Sequence, residues 1–301
     1  MRRTSRPAII AVVLAAVSLL AASCAHSVEG GPVLDEQSVR DAAIERFNEV
    51  IGNVHTYIRQ DRSARAREQW TATVNEQHRT SDNTHLYHGD PPTTLVKRGA
   101  VSEGTNLDLF HPAGSNRDYL LLGEHYRKLA PTPWVTLPTS YDGAINDVCL
   151  LPGKMGLCKM IDSISLTAKE GGPNITKMGY RNPDGSVNLL SNVTVENFID
   201  SRVILFPDDI KNQLTPKILE SQLSARVDLT KANRVTFAQI NGTITDGDKK
   251  FDIDITHEVE GNAQPGDFPT TPSGAELTVI KDDEKANALL DKALQMHLET
   301  R

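Results

Sequence analysis

Residues 235–259, VTFAQINGTITDGDKKFDIDITHEV, decide how this chain is read. Apolar and polar residues alternate on both sides of Asp246-Gly247-Asp248, the period of two that places one set of side chains on a single sheet face. The Asp-Gly-Asp centre is a tight-turn signal, so the stretch predicts a two-stranded antiparallel hairpin. Working outward, Val227 to Leu229 is expected to pair beside it. Further short strand-like runs occur at Val54 to Arg59, Trp70 to Asn75, Thr93 to Lys97, Asn106 to Phe110, Tyr119 to Leu122, His125 to Leu129 and Trp134 to Leu137. More follow at Thr176 to Tyr180, Val187 to Leu190, Val193 to Val195 and Val203 to Phe206, with Glu276 to Ile280 as an edge strand. Arg62 to Arg67 reads as a charged connection, and Asn182-Pro183-Asp184-Gly185 as a turn. Repeated short strands separated by turns mean antiparallel pairing, because parallel pairs need long crossovers.

Helical periods frame these strands. Val39, Ala42, Ala43, Phe47, Val50 and Ile51 recur at three- and four-residue spacing, with Asp35 as the N-cap and Gly52 as the stop. A second helical stretch holds Met160, Ile161, Ile164 and Ala168 and ends at Gly171-Gly172. A third runs from Asp208 to Leu223, its second half opening on Thr215-Pro216. A last helix is capped by Asp282 or Asp283 and presents Ala286, Leu289, Leu290, Ala293, Leu294 and His297 to one side. Gly261 to Gly274 reads as a linker. The fold class expected is α+β: one domain over residues 35–301, a large curved antiparallel sheet of half-barrel type with helices packed on one face and a C-terminal helix.

Ahead of that domain lies an export signal. Arg2, Arg3 and Arg6 precede an apolar run from Ala8 to Ala22 that closes on Ala21-Ala22-Ser23-Cys24. The run is shorter than the roughly 20 residues of a membrane-spanning helix and has no basic stop-transfer cluster behind it. Residues 1–23 therefore read as a cleaved lipoprotein signal peptide. Cys24 resembles the bacterial lipobox cysteine, the site of lipidation, and residues 24–34 form a short lipidated tether. The reading places the mature protein, exported and lipid-anchored, on the outer face of the cell membrane.

Three cysteines are present. With Cys24 lipidated, Cys149 and Cys158 remain as an even pair, and an oxidising compartment favours their closure into a disulfide. A loop this short is worth about 2–3 kcal/mol in the chain-entropy picture. Loss of the signal-peptide arginines takes the formal charge from −7 to −10, which argues against nucleic acid as a partner, since phosphate contacts need clustered Lys and Arg.

Searching for chemistry yields mostly exclusions. No two glycines lie two or four apart, so neither the dinucleotide fingerprint nor the nucleophile elbow is present. Gly153-Lys154 is followed by Met155, which excludes a Walker A loop, and His257-Glu258 has no second histidine at position 261. His85 and His88 with Asp90 are the nearest approach to a metal group. Three residues apart in a strand they point to opposite faces, so they read as a satisfied surface pair. Asp246, Asp248, Asp252 and Asp254 lack the loop glycine and terminal Glu of a calcium-binding EF-hand and read as a solvated hairpin. No metal, cofactor or catalytic residue is expected, and the chain reads as a non-enzyme.

A lipobox, a short tether, an N-terminal amphipathic helix and the run Tyr119-Leu-Leu-Leu-Gly-Glu-His-Tyr126 followed by Trp134-Val135 resemble the actinobacterial envelope lipoproteins of the LppX/LprG kind. The resemblance implies a LolA-like half-barrel whose sheet and helices enclose an apolar cavity for an acyl lipid. Such a cavity is made by generic apolar side chains, so the resemblance assigns no ligand-binding residue. Two functions follow as expectations: a membrane-anchored lipoprotein that binds or carries an acyl lipid, and a structural or interaction lipoprotein with a solid core that docks another envelope protein.

Overall fold

The computed structural model describes residues 35–99, 103–138, 147–172 and 174–299. The chain divides into two compact units, residues 1–41 and 42–301. Of the first, only 35–41 is described, the opening of helix α1 (Glu36–Gln60), where Asp35 caps through Ser38 N at 2.9 Å. Signal peptide, tether and Cys24 lie outside the described residues.

In the second unit α1 continues past Gly52, which was expected to stop it, and absorbs the strand expected at Val54 to Arg59. The reason is the stripe Phe47, Val50, Ile51, Val54, Ile58, which is buried throughout. A helical glycine costs about 1 kcal/mol against alanine, whereas burying Val54 and Ile58 contributes about 1.5–3 kcal/mol each. Six strands follow: β1 (Ser63–Val74), β2 (Gln77–Gly89), β3 (Pro92–Arg98), β4 (Leu107–His111), β5 (Arg117–Leu122) and β6 (Trp134–Pro138). Strand β1 includes the residues read as a charged connection, because Ala64 and Ala66 alternate with Arg65 and Arg67 and point inward. Strand β2 was legible only near His85; its first half is polar on both faces. His125 to Leu129, expected as a hairpin strand, is instead a 3-10 helix over Glu124–Leu129 that buries Tyr126.

Helix α2 (Met155–Glu170) leads to β7 (Lys177–Arg181) and β8 (Val187–Thr194). The short helices α3 (Val195–Asp200), α4 (Asp208–Lys211) and α5 (Pro216–Glu220) come next. Helix α3 takes Val195 from the predicted strand, capped by Thr194, and residues 203–206 are not a strand. The helix expected from Asp208 to Leu223 is broken in two, with Thr215 capping α5 and Pro216 at its first turn. Strands β9 (Gln222–Leu229), β10 (Val235–Asp246) and β11 (Lys249–Gly261), edge strand β12 (Leu277–Val279) and helix α6 (Asp283–Glu299) complete the chain.

All twelve strands form one open sheet, ordered β12-β6-β5-β4-β3-β2-β1-β11-β10-β9-β8-β7. Every pairing is antiparallel except β12 with β6. Register places the even residues of β1 on the same face as the odd residues of β2 and β11. This inner face carries both apolar clusters that touch helices. The larger joins β8 to β11 and the end of β1 to α1 to α5, with Phe47, Phe198, Phe251, Met160 and Ile161 filling its centre. The smaller lies under α6, where Ala286, Leu289, Ala293 and Met296 meet Leu120, Leu122, Val135 and Leu137. Leu290, expected on the packing side of α6, is 41% exposed instead, and Met296 takes the inward place. A third cluster on the outer face joins Leu86, Leu95 and Phe110 to Ala263 and Phe268 of the segment read as a linker.

Helix α1 crosses the inner face at Gly179, where a Cβ would meet Phe47 N at 2.7 Å and Arg46 C at 3.0 Å. Gly179→Val should therefore lower stability by about 1–3 kcal/mol, the usual cost of overpacking, read as a fall in the urea midpoint at unchanged slope. Gly266→Ala, with open space around it, should leave the midpoint in place.

Candidate functional site

Between the two helix-covered clusters the inner face turns polar. Glu68 of β1, His85 of β2 and His257 of β11 are buried there, the two histidines 6% and 1% exposed. Glu68 Oε1 lies 3.8 Å from His85 Nε2, and Glu68 Oε2 lies 3.8 Å from His257 Nδ1. Both separations exceed hydrogen-bond length. Glu68 Oε2, both ring nitrogens of His85 and His257 Nδ1 make no hydrogen bond among the described residues. Leaving a buried polar group without a bond costs about 1–3 kcal/mol.

The segment from Asp147 to α2 roofs this strip. A Cβ at Gly156 would stand 2.3 Å from Glu68 Oε2, so the first turn of α2 rests directly on the carboxylate. Lys154, 2% exposed, donates from Nζ to Ile58 O at 2.5 Å and Asp61 O at 2.7 Å, capping the end of α1. Its Nζ also lies 3.8 Å from the centre of the Tyr87 ring. Tyr87 donates to Asp61, and Arg234 binds the same carboxylate at 3.3 Å. Burial pushes the Lys154 amine down to about 7, against the attraction of Asp61.

The other edge of the roof is the Cys149–Cys158 disulfide, with Cα atoms 5.6 Å apart. His55 Nδ1 approaches Cys149 Sγ at 3.7 Å, and His55 Nε2 contacts Asp162 Oδ1 at 2.9 Å. Arg59 makes two bonds to Asp147, at 3.2 and 3.0 Å, and Cys149 N donates to Asp147 Oδ1 at 3.0 Å. With the sulfurs bonded to each other, neither is a thiolate that could ligate a metal.

His85 and His88 do lie on opposite faces, yet the reading of both as a satisfied surface pair is corrected for His85. It faces inward and is buried, and its register neighbours Ala66 and Val96 offer no side-chain hydrogen-bonding group. His88 Nδ1 lies 3.4 Å from Ser63 Oγ, and Asp90 pairs with Arg62 at 2.8 Å. The four hairpin aspartates are engaged separately: Asp246 with Thr215 and Lys217, Asp248 with Lys249, Asp252 with Thr243 and Lys250, Asp254 with Gln239. On the outer face, Gln69, Thr71, Asp82, Asp254 and Thr256 line an open groove of about 480 Å³. Glu68 and His257 were missed in the sequence because they are far apart along the chain. Their signal is a charged or polar residue at an inward position of an otherwise apolar alternation.

One cross-strand row links the polar strip to the apolar platform under α6: His85 pairs with Val96, Val96 with Leu109, Leu109 with Leu120 and Leu120 with Val135. Four strand spacings make the row about 19 Å long. The fold thus defines an open, almost wholly antiparallel sheet with helices on one face and an amphiphilic row from β2 to β6.

No protein-family model matches the sequence, and no match was found among curated proteins. Among solved structures, the chain is similar to the Mycobacterium tuberculosis lipoprotein LppX, at 12% identity over 73% of this chain and 96% of that one, TM-score 0.34. It is also similar to LprF from Mycobacterium bovis, at 11% identity over 77% and 98%, TM-score 0.33. A LolA-superfamily protein from Nitrosomonas europaea shares 6% identity over 76% and 98%, TM-score 0.23. A likeness at this level fixes neither a family nor a function.

Burial pushes the His85 imidazole down to about 4, against the pull of Glu68. For Glu68 burial acts upward, and His85, His257 and Arg98 outweigh it and hold the carboxyl at about 2. Unfolded His85 binds its proton near 6.5 and the folded form only near 4, so stability declines as pH falls through that window. The contribution of Glu68 is lost only below its ordinary 4.5. Urea midpoints measured between pH 7 and 5 should fall for the parent, and His85→Gln should flatten that slope.

Proposed function

We propose that this protein is an exported lipoprotein, held on the outer face of the cell membrane by acyl chains on Cys24 after removal of residues 1–23, and that its domain binds an amphiphilic acyl lipid without catalysing a reaction. The observation that carries the reading is the inner-face row from Val135 to His85. Its apolar end is roofed by one terminal helix that contributes Ala286 and Ala293 to the contact. Its polar end holds buried groups that lack partners. An acyl chain laid along the platform gains about 0.8 kcal/mol for each methylene it buries, and a polar headgroup supplies bonds to the strip. Displacing α6 opens the platform, while the larger cluster, filled by side chains, stays closed. The filling of that larger cluster favours a second reading, in which the domain docks another envelope protein through its surface.

Native mass spectrometry of residues 25–301, delipidated and re-exposed to envelope lipids, should show about one acyl lipid per chain, competed by a fluorescent fatty acid. Leu109→Arg, on the platform, should abolish uptake, and His78→Ala, at an exposed position of β2, should not. Unliganded mass with no probe competition defeats lipid binding and leaves the protein-docking reading. Separately, Cys24→Ala in the full chain should shift the protein from the membrane fraction to the medium or leave it as precursor.

A further inference from the structure

A bridge that serves only to tie a loop needs no acid–base group beside it, yet the Cys149–Cys158 sulfurs have one. Asp162 Oδ1 lies 2.9 Å from His55 Nε2, and because a carboxylate oxygen only accepts, the tautomer that bonds it carries its proton on Nε2. The lone pair is then on Nδ1, the atom 3.7 Å from Cys149 Sγ. Cys–His–Asp in this order is the arrangement that activates a thiol, with the third group holding the base in the useful tautomer. Access distinguishes the two sulfurs: Cys149 is half-buried and Cys158 is 2% exposed. Among the described residues, Arg59 and Asp147 also stand beside the pair, bonded to one another, with Asp147 bound to the Cys149 amide.

We propose that Cys149–Cys158 is a thiol–disulfide exchange site, in which Cys149 is the exchanging sulfur, His55 its base and Asp162 the residue that positions His55. The partners by chemistry are small or peptide thiols and disulfides of an oxidising compartment. In the reductive direction a thiolate RS⁻ attacks Cys149 Sγ. The Cys149–Cys158 bond breaks, its electron pair leaves on Cys158 Sγ, and that sulfur takes a proton from solvent. A second RSH attacks the R sulfur of the mixed disulfide, its proton passes to His55 Nδ1, and Cys149 departs as a thiolate paired with the imidazolium. Two RSH become RSSR, and the protein disulfide becomes two thiols. In the oxidative direction the Cys149 thiolate attacks a substrate disulfide, and Cys158 then resolves the mixed disulfide. Because the bridge closes one edge of the roof over Glu68, exchange also releases that edge. The inference does not rest on lipid binding.

The test uses residues 25–301, which contain every described element, with Cys158→Ser so that Cys149 is the only thiol, in buffer containing a metal chelator. The rate of alkylation by iodoacetamide against pH should show a midpoint at least one pH unit below the ordinary thiol value of about 8.5. Adding His55→Gln should return the midpoint to that value and slow the reaction at pH 6.5 about tenfold, with Asp162→Asn in between, while the urea midpoint stays within error. Should Cys158→Ser fail to fold, the same profile is read on parent protein reduced with dithiothreitol, with Cys149 located by peptide mass. An ordinary midpoint that His55→Gln does not move overturns the proposal. So does a native disulfide that exchanges with glutathione no faster than in the His55→Gln protein.

Discussion

Side chains alternate across a strand, and in a sheet twelve strands wide that single constraint decides where everything else goes. Once the β10–β11 hairpin sets Ile240, Ile253 and Ile255 on one face, register carries the same face through β1 and β2 to β6 at one end, and through β9 and β8 to β7 at the other. Helices α1, α2 and α6 then have one surface on which to bury their stripes. The opposite face keeps Gln69, Thr71, Thr80 and Asp82 in water, while Ala263 and Phe268 cover its Leu86, Leu95 and Phe110.

The same alternation creates the polar strip. Glu68 falls between Ala66 and Trp70 in the inward series of β1, and His257 follows Ile255 in that of β11. Both are delivered to the interior by the pleat, whatever their chemistry. Their burial without hydrogen bonds is destabilising, and Lys154, Tyr87, Asp61 and Arg234 form a well-bonded network beside them that ties the roof segment to α1 and β2. The bonded network fixes the walls, and the groups beside it keep hydrogen-bonding capacity that the fold does not use.

Two chemistries therefore sit on the two sides of one roof. Inside, the row from His85 to Val135 passes from polar to apolar. Outside, the Cys149–Cys158 bridge lies against His55 and Asp162, within reach of solvent. The roof segment from Asp147 to Gly156 is common to both, so its conformation sets access to each.

Strong local periods were legible in the sequence. The hairpin at 235–259, most of the shorter strands, the caps at Asp35 and Thr215 and the inward Ala286, Leu289 and Ala293 of the last helix are all written within a few residues of each other, where backbone geometry acts directly on the pattern. Tertiary burial decided what local signals left balanced or misread. Gly52 does not stop α1, because Val54 and Ile58 find a core to enter. Residues 63–67 join β1, because alanines there face inward between two partner strands. Residues 124–129 coil, because Tyr126 must reach the cluster under α6. The meeting of Glu68, His85 and His257, and of His55 with Cys149, lay beyond any reading of spacing. Those residues are brought together by strand register and helix crossing, which depend on contacts between segments separated by up to 189 positions and not on the residues that adjoin them.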